Sequence, residues 1–445
     1  MKPLACMLAA AALVPALARA QSAAPDDPAT ADASPSSTEQ GQTPLDEAFV
    51  PRDRAAWIRE TRLQAWKDTA FDVQARTFYL DRDKYDDSQS TAWALGGSAG
   101  FKTGYFRERF AFGATGYTSQ RLYGPDDKDG TLLLKPGQEG YTVLGEAYGE
   151  FLINDDTRLK LGRFGIDTPY VNRNDARMTP NTFQALTVQG VYGGDGGAPQ
   201  WKFGAGYFDK IKERNADTFV SMARDAGAPS WVDRGVYTLG ANYTRDRLSA
   251  GAIYYHSNDI ISIFYTEAKY AFPLGDTAKL NLALQYSDQD SAGDNLLRGD
   301  EFSARQWGGK LELGYKGALF TTGYTRASGG TNMQNPWSGY PGYTSVQVED
   351  FNRNGEGAWL LRAAYNVQSV KGLSFYALYV DGSDPDAPTD YAKDEYNLNA
   401  QWTAAEGPLK GLMMRVRYAH VSQKGPQTSD LDDLRLLVYY DPPGL

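Results

Sequence analysis

From Phe71 to Tyr440 the chain keeps returning to one pattern: apolar or aromatic residues at every second position, polar ones between, in runs of strand length. Phe71, Val73, Ala75, Thr77 and Tyr79 share one side, and Asp72, Gln74 and Arg76 the other. Trp359, Leu361, Ala363 and Tyr365 oppose Ala358, Arg362 and Asn366. Leu412, Met414, Val416 and Tyr418 oppose Arg415 and Arg417, and Leu434, Leu436, Val438 and Tyr440 oppose Arg435. Alternation of period two marks strands with two unlike faces. A soluble sandwich or propeller fits poorly, because no blade-length repeat appears and arginines stand where a soluble core needs apolar side chains. A transmembrane barrel fits, since its outside meets lipid and its lumen meets water.

Connections between the runs alternate in length. Asn154-Asp155-Asp156, Thr244-Arg245-Asp246 and Val370-Lys371-Gly372 are tight turns, whereas Tyr123–Gln138, Asp209–Val232, Ser287–Phe302, Ala327–Gly355 and Asp381–Tyr391 are long loops. Short turns at one end and long loops at the other predict an all-β, antiparallel barrel of about eighteen strands. A barrel of that size keeps an aqueous lumen. Trp93, Tyr141, Trp359, Tyr396 and Trp402 are read as interfacial girdle residues. Hydrophobic residues make up only 42%, and no stretch after the leader is apolar enough for a spanning helix. A net charge of −10 argues against nucleic-acid binding, which needs a basic footprint.

Residues 1–20 read as an export signal: Lys2, an apolar run Leu4–Val14, and Ala18-Arg19-Ala20 as the cleavage site. The only cysteine, Cys6, lies within it, so the mature chain of 445 − 20 = 425 residues carries neither a disulfide nor a thiol nucleophile. Residues 21–55, rich in Ala, Ser, Thr, Pro and Asp, read as a disordered periplasmic tether. Residues 56–445 form the barrel domain. Arg54–Lys67 opens with a segment compatible with a helical turn or a plain lead-in.

The most informative stretch runs from Asp155 to Val188. Leu159 and Leu161 alternate with Arg158 and Lys160, glycines at 162 and 165 break the strand, and Pro169 and Pro180 exclude a central strand. The loop carries Arg163, Arg173 and Arg177. It is either a solvated charged loop or a basic constriction folded into the lumen; the surrounding barrel favours the constriction. On the strand before it, Glu146, Tyr148 and Glu150 share the polar face.

These residues resemble the OprD family of outer-membrane porins. The likeness is carried by Asp155–Val188, with its D-T-P turn and N-x-x-x-A-R-M-x-P-x-T, by Ser345–Asp386, and by Leu412–Tyr440. It extends from Phe71 to the C-terminus. It implies an eighteen-stranded channel with an inward-folded third extracellular loop and a row of basic lumenal side chains used by small carboxylate-bearing solutes. By matching position that row is Arg76, Lys160, Arg177, Arg362, Arg415 and Arg417. Strand parity independently turns all of these except Arg177 inward, and adds Arg435. The chain departs from the family in placing Glu146 and Glu150 where relatives often carry basic residues. It also lacks an arginine at Asp259–Ser262, and ends in Pro-Gly-Leu rather than an aromatic residue.

Basic groups in a narrow lumen concentrate anions, and the arginine fork binds carboxylate through two hydrogen bonds. Glu146 and Glu150 across from them would set a transverse field or engage a substrate ammonium. Enzymatic signals are poor: His256 and His420 lie in neither G-x-S-x-G nor H-E-x-x-H settings. The acidic groups Asp126, Asp127 and Asp129, and Asp381, Asp384, Asp386 and Asp390, read as solvated loops rather than calcium sites, because EF-hand spacing is absent. The expected function is passive diffusion of small anionic or zwitterionic solutes such as organic acids or amino acids, with no cofactor or metal. The alternative is a barrel with an occluded lumen acting as an adhesin or lipid-active enzyme. Expected partners are outer-membrane lipid, lipopolysaccharide and the barrel assembly machinery; both a monomer and a loose trimer are compatible with the sequence.

Overall fold

Alternation becomes strand wherever a neighbour is available to complete the backbone pairing. The computed structural model describes residues 54–443, except 195, 196, 276, 338, 388, 389 and 426–429. The expected leader, Cys6 and all but the last two residues of the expected tether lie outside the described residues.

In chain order the strands are β1 (Ala70–Asp83), β2 (Gln89–Lys102), β3 (Phe110–Tyr123), β4 (Tyr141–Asn154), β5 (Thr157–Phe164), β6 (Thr182–Gly193) and β7 (Gln200–Lys212). They continue as β8 (Val220–Ser221), β9 (Val236–Arg245), β10 (Leu248–Ser257), β11 (Ile261–Leu274), β12 (Ala278–Ser291) and β13 (Ser303–Tyr315). The last are β14 (Ala318–Ser328), β15 (Gly357–Asn366), β16 (Leu373–Gly382), β17 (Lys393–Thr403), β18 (Leu412–Gln423) and β19 (Leu431–Tyr440). All join one sheet of nineteen strands. The two-residue β8 belongs to a loop, and β7 pairs directly with β9, so eighteen strands make the wall among the described residues. Closure comes from β1 against β19, antiparallel from Ala75↔Tyr440 to Asp83↔Asp432.

The two-residue connections all fall at one end; the other end holds the long loops together with the tight turn 258–260 between β10 and β11. Asp155-Asp156 joins β4 to β5, Asp246-Arg247 joins β9 to β10, and Lys316-Gly317 joins β13 to β14. Lys316 and Gly317 both have positive φ, 46° and 81°, as a two-residue type I′ hairpin requires.

Closure sorts the side chains as the alternation predicts. Leu361 and Val416 are 59% and 48% exposed on the outer face, while the next residues along each strand turn inward, Arg362 half-buried and Arg417 4% exposed. Trp307, Tyr324 and Trp359 form an outer aromatic row, with ring centroids 5.3 and 4.7 Å apart. Tyr141 departs from its expected girdle position. A bulge near Gly145 shifts the β3–β4 register and reverses parity, so Tyr141 points inward and donates to the Arg214 carbonyl at 2.7 Å.

Before the barrel, α1 (Arg54–Thr61) settles the open reading of the lead-in as helix. Trp57 packs on Val191 of β6. Arg54 pairs with Asp156 at 2.9 Å and Arg62 with Asp155 at 2.7 Å, tying the segment to the β4–β5 turn.

Leu361 lies midway along β15, so Leu361→Arg should lower the free energy of unfolding in lipid vesicles by about 2–4 kcal/mol, the cost of an arginine near the bilayer midplane. Arg362→Leu, one residue away, should cost much less; equal penalties in urea titrations would refute the facing.

Candidate solute path

Loop 165–181 leaves β5 and returns into β6, and it satisfies its own backbone. Thr168 Oγ1 donates to the Val171 carbonyl at 2.7 Å, and the Arg173 amide to Asp167 Oδ1 at 3.1 Å. The Asn174 amide donates to Asn172 Oδ1 at 3.0 Å, and the Asn181 amide to the Arg173 carbonyl at 2.7 Å. These short polar side chains supply backbone partners within a loop that carries two prolines.

Two anchors carry the loop across the lumen. On one side Tyr170 is fully buried, its ring edge-on to Tyr255, Tyr265 and Tyr340 at 5.8–6.3 Å, its hydroxyl 2.6 Å from Ser287 Oγ of β12. On the other, Met178 packs with Phe78 of β1, Leu437 of β19 and Leu133 and Leu134 of loop 124–140. The expected inward fold is therefore present.

It is joined by a second inward loop that sequence reading missed. In loop 329–356, Trp337 Nε1 donates to the Met222 carbonyl at 3.1 Å and the Tyr343 hydroxyl to Glu267 at 2.8 Å. The Val348 and Glu349 amides donate to the buried Glu395 carboxylate at 3.0 and 2.8 Å.

The predicted basic residues fall into distinct groups. Arg362, Arg415, Arg417, Arg435 and Arg76 lie on β15, β18, β19 and β1, on the inward parity. The Arg362 guanidinium sits 4.4 Å from the Tyr376 ring, and Arg415 Nε donates to Asn399 Oδ1 at 2.5 Å. Arg417 and Arg435 are directly opposed across β18–β19. Like charges in that position repel. Asp433, fully buried, offsets this by accepting from Arg435 Nε at 2.6 Å and pairing with Arg82 at 2.6 Å. Asp433 shares the parity of Arg435 two residues on, so alternation could have found it.

Lys160 keeps the inward parity on β5, opposite Glu150 of β4, with its ammonium 3.6 Å from the centre of the Tyr148 ring. Glu146, nearby on β4, accepts from the Tyr117 hydroxyl at 2.9 Å. Arg173 is exposed at the loop surface, 3.5 Å from Asp167.

Three expectations need correction. Arg177 is not presented to a solute: it is 5% exposed, and its Nε donates to the Thr131 carbonyl at 2.9 Å. Burial, then the charges of Arg435, Arg214 and Arg82, push its guanidinium well below its ordinary pKa. Arg163 has the parity of Leu161, opposite to Lys160, and lies 4.3 Å from the Phe219 ring, outside the row. Glu150 is enclosed rather than open to the lumen. It accepts from the Tyr105 hydroxyl and sits 3.5 Å from Arg158 and 3.6 Å from Lys102. Both cations also hold Glu60 of α1, and Arg158 stacks 3.6 Å from the Trp57 ring. A helix supplied from outside the barrel thus absorbs charges that strand parity assigns to the lumen.

The family described as outer membrane porin, OprD family, matches residues 65–443. "Porin D" of Pseudomonas aeruginosa is 25% identical over 417 residues, 84% of this chain and 90% of that protein. "Porin-like protein GalP" of Pseudomonas putida is 24% identical over 404 residues, 84% of this chain and 92% of that protein. Among solved structures, Pseudomonas aeruginosa OccK9 (OpdG) superposes with a TM-score of 0.74 at 23% identity, covering 84% of this chain and 98% of that one. Pseudomonas aeruginosa OpdK, solved with vanillate, gives 0.73 at 22% identity, covering 85% and 99%.

Arg177→Ala should leave the Thr131 carbonyl without its donor and cost about 1–3 kcal/mol of local stability. The expected result in planar bilayers is a larger, noisier conductance; a clean loss of anion preference at unchanged conductance would contradict the burial.

A pH dependence follows from loop 329–356. Asp350 accepts from Ser345 Oγ at 2.6 Å, and burial, together with neighbouring Glu349, raises its carboxyl from the ordinary 3.8 to about 6. The folded loop then holds this proton more tightly than a free chain does. The contribution of this group to stability is fully present below pH 3.8, falls as pH rises toward about 6, and is lost above it. Open-channel noise should increase across that window, and Asp350→Asn should remove the change.

Proposed function

Since this chain belongs to the OprD family of outer-membrane porins, we propose that it conducts small carboxylate-bearing solutes past the arginines of β15, β18, β19 and β1. Passive passage across the outer membrane is the family's role; the preference for carboxylates is our reading. One observation carries it: Arg362 of β15 and Arg415 of β18 share the inward parity and are only partly buried, and Arg76, Arg417 and Arg435, buried on the adjoining strands β1, β18 and β19, add to the positive charge of the same wall. Planar guanidinium groups spaced along a wall offer a carboxylate successive two-point contacts, each weak enough to release it. The inward loop 165–181 reaches this row at Arg76, which Asp175 contacts at 2.5 Å. A low-dielectric wall around a narrow opening strengthens the field of these arginines on a passing anion. The vanillate in the OpdK structure, an aromatic carboxylate, is consistent with this solute class.

The test is ion and solute selectivity of purified protein in planar bilayers. We expect reversal potentials to favour anions and benzoate to reduce chloride current more than benzamide does. Arg415→Gln with Arg417→Gln should weaken benzoate block by about tenfold, equivalent to ~1.4 kcal/mol. Equal effects of benzoate and benzamide on the native channel would remove the carboxylate reading.

A further inference from the structure

We propose that Asp175 is a built-in counter-ion: a carboxylate of the chain's own that occupies the Arg76 fork and that a permeating carboxylate must displace. The inference rests on the carboxylate reading above and narrows it to one competing residue. Arg76 Nη1 and Nη2 donate to Asp175 Oδ1 and Oδ2 at 2.5 and 2.6 Å. That is the parallel two-bond geometry a solute carboxylate needs. The rest of the guanidinium is taken up by Gln74 Oε1, by the Arg177 carbonyl at 3.2 Å and by the Tyr439 ring at 4.6 Å.

The two partners are unequally held. The Arg76 side chain is 9% exposed, the Asp175 side chain 39%. Asp175 stands at the apex of a three-residue turn closed by the Ala176 amide on the Asn174 carbonyl at 2.7 Å. On either side of it, Asn174 and Arg177 are buried. The backbone is thereby fixed while the carboxylate is free to rotate into water, so displacement requires side-chain motion alone.

Two functional effects follow. A tethered group acts at an effective concentration of the order of millimolar. Asp175 therefore keeps carboxylate affinity at Arg76 low and speeds release, which flux requires. It also neutralises Arg76 toward small inorganic anions that cannot replace both hydrogen bonds. The residue thus favours carboxylates over chloride at this point of the path.

The experiment compares native protein, Asp175→Asn, Asp175→Glu and Arg76→Gln, with the double variant Asp175→Asn/Arg76→Gln. Readouts are the chloride-to-potassium permeability ratio, benzoate and benzamide block, and the size cut-off for neutral polymers. Asp175→Asn should raise the permeability ratio and tighten benzoate block by about tenfold, as loss of a tethered competitor that fills the Arg76 fork about nine-tenths of the time implies. The cut-off should stay unchanged, Asp175→Glu should remain nearer native, and the shift should vanish when Arg76 is Gln. An unchanged ratio and block, a shift that persists without Arg76, or a widened cut-off would overturn the proposal, the last by making Asp175 a structural anchor. If native protein treats benzoate and benzamide alike, the carboxylate reading fails separately, and the permeability ratio still decides the counter-ion role.

Discussion

The hydrogen-bonded seam between β1 and β19 is the condition on which the rest depends. A lipid layer offers no partner to an unpaired backbone amide, so a sheet spans it only when every strand has two neighbours. Closure also gives the strands an inside. Once Ala75 to Asp83 lie against Tyr440 to Asp432, the pleat commits Arg76, Arg82, Asp433 and Arg435 to one crowded patch. Basic side chains that would be costly in lipid become lumen instead.

That patch carries more positive charge than pairing alone would tolerate, and the protein compensates with carboxylates from different sources. Asp433 is built into the wall, buried between Arg82 and Arg435. Asp175 arrives on a loop and remains half-exposed. Glu60 comes from α1 and serves Lys102 and Arg158 near the β4–β5 turn. Burial alone would raise the Glu60 carboxyl, but these two cations outweigh it and hold it at about 2. The three arrangements differ in how readily the acid can leave, so the same ionic chemistry serves as brace, competitor and tether.

Much of this was legible in the sequence, because parity is a local property. Leu361 against Arg362 and Val416 against Arg417 needed only alternation, and the barrel followed from many such runs with alternating connection lengths. Tyr141 failed because a bulge near Gly145 breaks the count, and nothing local marks the bulge. Arg163 failed when it was counted with its loop, although it is the penultimate residue of β5, one past the positive-φ Gly162. Arg177 was correctly assigned to an inward loop yet wrongly exposed, since the carbonyl that buries it belongs to Thr131. The partner of Asp175, Arg76, is 99 positions away. Long-range partners of this kind leave no periodic trace.

The seats of loop 165–181 are scattered along the chain: Arg76 and Phe78 on β1, Tyr255 on β10, Ser287 on β12 and Leu437 on the last strand. Contacts of such large sequence separation form only after the intervening chain has been ordered. The loop's Met178 anchor has no complete pocket until β19 closes onto β1. The constriction is therefore the product of the finished wall rather than a template for it. Until the two ends of the chain meet, Phe78 and Leu437 do not stand side by side, and the seat of Met178 is incomplete.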